Sequence, residues 1–283
     1  MFRCFAVAVA LVLAALLSAC GDRGTRAVAP GAEASDSGPQ HVHGVGINPA
    51  DGSLVIATHT GMFRAMPGEQ RARRVGDLYQ DTMGFTVVGP DRFLGSGHPD
   101  ARADLPPLLG LIRSADGGRT WDPVSLLGEA DFHVLRAAGR QVYGFDSTKA
   151  RLLVSGDGGR SWDERTPPEP LLDLAIDPRR ADHVVASGES SVFTSTDAGR
   201  RWRPLGRNRA GLLAWADALY LVDGRGKVQR SMDAGRVWTP VGAIGGQPAA
   251  FASSGRELYV ALHDGTVKRS TDGGRSWRVR VAA

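Results

Sequence analysis

The sequence has little of what defines several large protein classes. Its 283 residues include only two cysteines, too few for a disulfide-stabilised scaffold or a zinc finger. Lysine is scarce, and 34 Lys and Arg residues against 30 Asp and Glu residues leave a formal net charge of +4. These charges are dispersed along the chain, so the sequence does not favour nucleic-acid binding.

Motifs of three common enzyme classes are also missing. The chain contains no G-x-S-x-G turn, no H-E-x-x-H pair and no phosphate-binding glycine loop. Serine hydrolase, zinc protease and nucleotide-dependent activities are therefore not indicated. What is present is 42% hydrophobic residues with 37 glycines and 16 prolines, a composition that predicts a folded chain with many tight turns.

The N-terminal segment has the features of an export signal. Arg3 precedes an apolar run at residues 5–17, which is too short to cross the ~30 Å hydrocarbon core of a bilayer. The residues Leu-Ser-Ala-Cys at 17–20 resemble a bacterial lipobox. We expect residues 1–19 to be a lipoprotein signal peptide and Cys20 to carry the lipid. The alternative is an ordinary secreted protein that is cleaved elsewhere.

The next segment is poor in large apolar residues. Residues 20–40 contain the lipidated cysteine followed by Gly, Ala, Pro and Ser, which predicts a flexible tether. The folded domain then comprises residues 41–283. We expect a monomer held by its N-terminal lipid at the extracytoplasmic face of a bacterial cell membrane.

A repeated motif determines the predicted architecture. The pattern Ser-x-Asp-x-Gly-x-x-Trp occurs five times, and its Asp residues follow one another at intervals of 36 to 41 residues. These residues are Asp116, Asp157, Asp197, Asp233 and Asp272. A period near 40 with four short predicted strands per unit is typical of propeller blades.

A sixth unit lacks the motif but aligns with the others. The six units begin near His41, Asp81, Asp131, Leu171, Ala210 and Pro248. One four-stranded sheet cannot bury both of its faces alone, whereas a closed ring lets each sheet cover its neighbour. The sequence therefore predicts an all-β, six-bladed β-propeller, with seven blades as the alternative.

The repeated motif resembles the Asp-box, or BNR, repeats of sialidases and of the sortilin ectodomain. That resemblance implies a propeller fold, a structural role for the five motif Asp residues, and a bacterial lipoprotein of the glycosyl-hydrolase-like type. It does not extend to a sialidase catalytic set, because Phe63-Arg64-Ala65-Met66 departs from the Phe-Arg-Ile-Pro segment of that family. Whether the chain is an enzyme stays open at this point.

Histidines mark one face of the predicted ring. We call the side that holds the starts of the innermost strands and the loops from second to third strands the upper face. Six of the seven histidines fall there: His41, His43, His59, His98, His133 and His263. His41 and His43 flank one residue of a predicted extended strand, so we expect their rings to point the same way.

Converging imidazoles with nearby carboxylates suit a divalent transition metal. We expect a small molecule or a metal ion at the mouth of the central channel, with a metal held by His43, His59, His98 and His133. The wider ligand-binding set adds His41 and Asp146. A hydrogen-bonded polar lining without a metal is the alternative.

Two other functions remain open. A glycosidase acting on a glycan would use paired carboxylates, for which the candidates are Asp131, Asp146, Asp173 and Glu189. A protein-binding scaffold would need none of these groups.

Overall fold

The structure, a computed structural model, describes residues 38–283. This part of the chain contains no helix and forms six four-stranded antiparallel sheets, each built from four consecutive strands. The predicted all-β, six-bladed propeller is confirmed, and the seven-bladed alternative is wrong. The predicted signal peptide, Cys20 and the tether up to residue 37 lie outside the described residues.

The strands of the first three blades run from β1 to β12. They are β1 (Val42–Ile47), β2 (Leu54–Thr58), β3 (Gly61–Ala65), β4 (Arg73–Arg74), β5 (Asp81–Gly89), β6 (Arg92–His98), β7 (Leu111–Ser114), β8 (Asp122–Ser125), β9 (Phe132–Ala138), β10 (Gln141–Asp146), β11 (Arg151–Ser155) and β12 (Asp163–Arg165).

The remaining three blades complete the ring. They are formed by β13 (Leu171–Asp177), β14 (Arg180–Gly188), β15 (Ser191–Ser195), β16 (Arg203–Arg207), β17 (Leu212–Trp215), β18 (Leu219–Val222), β19 (Lys227–Ser231), β20 (Thr239–Ala243), β21 (Pro248–Ser254), β22 (Glu257–Leu262), β23 (Val267–Ser270) and β24 (Arg278–Val281).

The innermost strands β1, β5, β9, β13, β17 and β21 contact one another in that order, and β21 contacts β1. Because no strand is exchanged between the first and last blades, side chains and single backbone bonds reinforce the closure. Arg280 donates to the carbonyl oxygens of Ala65 at 3.2 Å and Met66 at 2.7 Å. The backbone N–H of Ala282 donates to Gln70 O at 2.9 Å.

The hydrophobic core is divided among the interfaces between blades. In the described part of the chain, six buried clusters each combine residues of two adjacent blades. The closing interface, for example, packs Leu54, Ile56 and Phe63 of blade one against Tyr259 and Val267 of blade six. Each blade is therefore stabilised by burial against two neighbours, as the ring requires.

The five repeated motifs form turns between the third and fourth strands, which we call the box turns. In blade three, Ser155 Oγ donates to Asp157 Oδ1 at 2.7 Å and accepts the N–H of Gly159 at 2.8 Å. The same carboxylate oxygen accepts the N–H groups of Arg160 and Ser161. These contacts give the motif Asp a structural task within its own turn.

The serine of a box turn is a testable stability element. Replacing Ser155, which is 1% exposed, by alanine leaves the buried Gly159 N–H without its acceptor. We expect Ser155→Ala to lower the free energy of unfolding by about 1–3 kcal/mol, as measured by urea denaturation. Ser161→Ala is the matched control, since that exposed hydroxyl can be replaced by water. Equal losses in the two variants would contradict the assignment.

Candidate metal centre at the upper channel mouth

The innermost strands line a central channel of about 510 Å³. Strand pairing places the start of each innermost strand beside the end of the second strand, so both lie at the upper face. The structure brings together five of the six histidines predicted there: His41, His43, His59, His98 and His133. His263 is exposed and makes none of these contacts, and His183 pairs with Asp177 elsewhere.

Asp81 lies at the centre of this group. Its side chain is 12% exposed, and its two carboxylate oxygens face three imidazoles from two blades. Oδ1 lies 3.4 Å from His43 Nε2, while Oδ2 lies 2.9 Å from His59 Nδ1 and 3.4 Å from His98 Nδ1. Burial acts to raise the pKa of Asp81, but the three imidazoles hold that pKa below its ordinary value.

A second buried carboxylate, Asp131, extends the group into blade three. Its Oδ2 accepts a hydrogen bond from His133 Nε2 at 2.9 Å and lies 3.7 Å from His98 Nε2. This hydrogen bond raises the pKa of His133 above its ordinary value, although burial of the ring acts against it. His98 therefore lies between the two carboxylates and connects the three blades electrostatically.

Three of the buried polar atoms at this site lack hydrogen bonds among the described residues: His43 Nε2, Asp81 Oδ1 and Asp131 Oδ1. The first two of these atoms lie 3.4 Å apart. Tetrahedral ligands held at ~2.0–2.1 Å from zinc are roughly 3.3 Å from one another. His43, His59 and Asp81 each offer one ligand atom, and these atoms lie within 4.8 Å of one another. The donor set thus fits a transition-metal ion.

The backbone differs from the expected geometry at His41. This residue precedes β1 and has a φ of 50°, and the pairing of β1 with β2 is shifted at His43. The two residues are therefore not in one regular strand, and the expectation that their rings share a direction for that reason is wrong. Both rings nevertheless lie beside His59, with centroid distances of 6.0 Å from His41 and 6.4 Å from His43.

The sequence reasoning missed Asp81 as a site residue. It recognised the residue only as the start of the second repeat unit. The available signal was its position, because Asp81 occupies the place that His41 has in the first unit and Asp131 has in the third. Comparing the unit starts with one another would have found it.

The other candidate carboxylates are arranged differently. Asp146 is fully buried and binds Arg151 and Thr148, while its Oδ1 also accepts the N–H of Asp131 at 3.3 Å. Asp173 is 1% exposed and is held by Arg136 at 2.6 Å and by backbone N–H groups of blades four and five.

Glu189 lies on the exposed loop between β14 and β15. Asp131 and Asp146 are neighbours, and a role of the four carboxylates in hydrolysis stays a prediction.

Sequence comparison gives one partial relative. No protein-family model matches the chain. The dispase autolysis-inducing protein of Streptomyces mobaraensis is 30% identical over 104 residues, which is 34% of this chain. The match spans 26% of that relative, about a quarter of its length, and is too short to define a family.

Several solved structures resemble this fold over most of the chain. A GH74 xyloglucanase from Xanthomonas campestris has a TM-score of 0.55 and 20% identity, covering 86% of this chain and 45% of its own. An ancestral GH74 enzyme has a TM-score of 0.57 and 14% identity, covering 86% and 39%. YCF48 from Cyanidioschyzon merolae has a TM-score of 0.51 and 14% identity, covering 86% and 85%. At these identities the likeness concerns the fold alone.

Within residues 38–283, none of the structure offers a helix with the length and apolar character needed to span a bilayer.

The hydrogen bond between His133 and Asp131 predicts that the titration of the His133 ring changes when Asp131 is replaced. Because the folded-state pKa of His133 is raised, the pair contributes stability below the ordinary imidazole pKa, and this contribution is lost as pH rises through the raised value. We expect Asp131→Asn to lower the pKa of His133, as followed by NMR of the ring protons. Asp177→Asn, which removes the partner of His183, should leave it unchanged. An unaltered His133 titration in Asp131→Asn would contradict this account.

Proposed function

We propose that the protein is a membrane-anchored, extracytoplasmic propeller that binds a divalent transition-metal ion at its upper channel mouth. The observation that carries the proposal is the facing pair of buried atoms, His43 Nε2 and Asp81 Oδ1, that have no hydrogen bond among the described residues. A buried polar atom without a partner costs about 1–3 kcal/mol. A cation between these two atoms would satisfy both.

A purely hydrogen-bonded lining explains this arrangement less well. In such a lining the imidazole would donate to the carboxylate with good geometry, as His133 does to Asp131 at 2.9 Å. His43 instead faces Asp81 without forming that bond.

Two further histidines contact the buried carboxylates of the site. His98 is placed between Asp81 and Asp131, and His133 donates to Asp131. Carboxylates that hold a histidine ring fix which nitrogen is free for the metal and raise its basicity. The mixture of imidazole nitrogens and carboxylate oxygens is typical of zinc and similar borderline ions.

Metal titration tests the proposal directly. We expect the metal-free protein to bind about one equivalent of Zn(II) by isothermal titration calorimetry. His43→Ala and Asp81→Asn each remove a ligand and should lower the affinity at least roughly tenfold. His263→Ala is the matched control, because this exposed upper-face histidine makes none of the cluster contacts. A parent protein that takes up no Zn(II) would refute the proposal.

The anchor has its own test. We expect Cys20→Ser to move the protein from the membrane fraction to the soluble extracytoplasmic fraction, because the thioether to the lipid cannot form. Cys4→Ser is the matched control, since Cys4 belongs to the predicted signal peptide and is removed with it. Fractionation followed by immunoblotting measures both variants. Retention of Cys20→Ser in the membrane fraction would contradict the predicted lipidation.

A further inference from the structure

The inner hairpins share an irregularity at the upper face. In five of the six described blades, the pairing of the innermost strand with its neighbour shifts at an equivalent position near the start of that strand. A shift of this kind leaves one residue unpaired and re-aims its side chain. The unpaired residues are His43, Met83, His133, Leu172 and Ala249.

All five of these residues line the central channel. They divide its mouth into two halves of different chemistry. Blades one, two and three contribute His43, Met83 and His133 in succession, whereas blades four and six contribute Leu172 and Ala249. Blade two, which carries the thioether of Met83, thus lies between the two blades that carry the imidazoles of His43 and His133.

Glycines bring these three blades close together. A Cβ atom on Gly44, the residue after His43, would lie 2.7 Å from Phe85 Cβ in blade two. A Cβ atom on Gly84, the residue after Met83, would lie 2.3 Å from Phe132 O, the carbonyl that precedes His133. Because both glycines lack this atom, the strands that carry His43, Met83 and His133 approach more closely than side chains would allow.

The two imidazoles have nitrogen atoms to offer. His43 Nε2 is buried and has no hydrogen bond among the described residues. His133 uses Nε2 for Asp131, which leaves Nδ1 of that ring for a ligand. Met83 is partly buried, and its sulfur is polarisable and uncharged.

We infer that the channel mouth also binds monovalent copper through His43, Met83 and His133. Thioether sulfur is a soft ligand that favours Cu(I) over harder ions, and imidazole suits copper as well as zinc. The inference rests on the proposed function, because His43 belongs to both donor sets. It adds Met83 as the residue that selects the soft ion, while His59 and Asp81 serve the divalent ion.

Two metals and three variants test the inference. Cu(I) affinity is measured under nitrogen by competition with bicinchoninate, and Zn(II) affinity by calorimetry. Met83→Leu should lower Cu(I) affinity at least roughly tenfold and change Zn(II) affinity less than about twofold. His59→Ala should do the reverse, and His43→Ala should weaken both. Met232→Leu is the control, since that methionine is 70% exposed and lies outside the channel.

X-ray absorption of the Cu(I)-loaded parent protein identifies the atoms bound to copper without any substitution. A sulfur scatterer in the copper shell supports the inference, and a shell of nitrogen and oxygen alone overturns it. Unchanged Cu(I) affinity in Met83→Leu, with Zn(II) binding intact, also overturns it and leaves the proposed function standing. If neither ion binds the parent protein, the inference and the proposed function are both wrong.

Discussion

Packing between neighbouring blades is the constraint on which this structure depends. A four-stranded sheet of this chain has apolar residues on both faces, and each face is buried only by the next blade. The ring that results forces the six innermost strands to lie side by side around one channel. Residues as distant in sequence as His43 and His133 therefore meet at one mouth.

The ring brings two carboxylates close together at the upper face, and imidazoles lie between and beside them. Asp81 and Asp131 are two largely buried carboxylates on adjacent blades, and like charges in such a position repel each other. His98 lies between them, and His59 and His133 each hold one of them. The cluster is consequently a set of mutually dependent charges.

Much of the fold could be predicted from the sequence because its cause is local and repeated. Each box turn needs its own Ser, Asp and Gly, so the motif is written five times and its period reveals the blade. The unit without the motif was still found, because its strand pattern aligns with the others. The grouping of histidines on one face followed from the same period, since equivalent positions in successive blades share a face.

What could not be predicted depends on departures from that repeat. Strand alternation describes regular pairing, whereas His43, Met83 and His133 sit where the pairing slips by one residue. No local sequence pattern predicts this shift in strand pairing. At this point the side chains stop alternating, and the channel lining differs from the one a regular strand would present. Asp81 was not predicted as a site residue for a related reason. It lies at the boundary between two repeat units, where the repeat pattern indicates only that a new unit begins.

The residues that line the channel mouth differ between its two sides. Six blades of common design would give six equivalent lining positions, and packing alone would be satisfied by small apolar residues such as the Ala249 of blade six. Three consecutive blades instead carry His43, Met83 and His133, and two of these residues lie beside buried carboxylates. Polar groups at a position that packing does not require are costly to bury. Their concentration on one side of the channel is the asymmetry on which the proposed metal site rests.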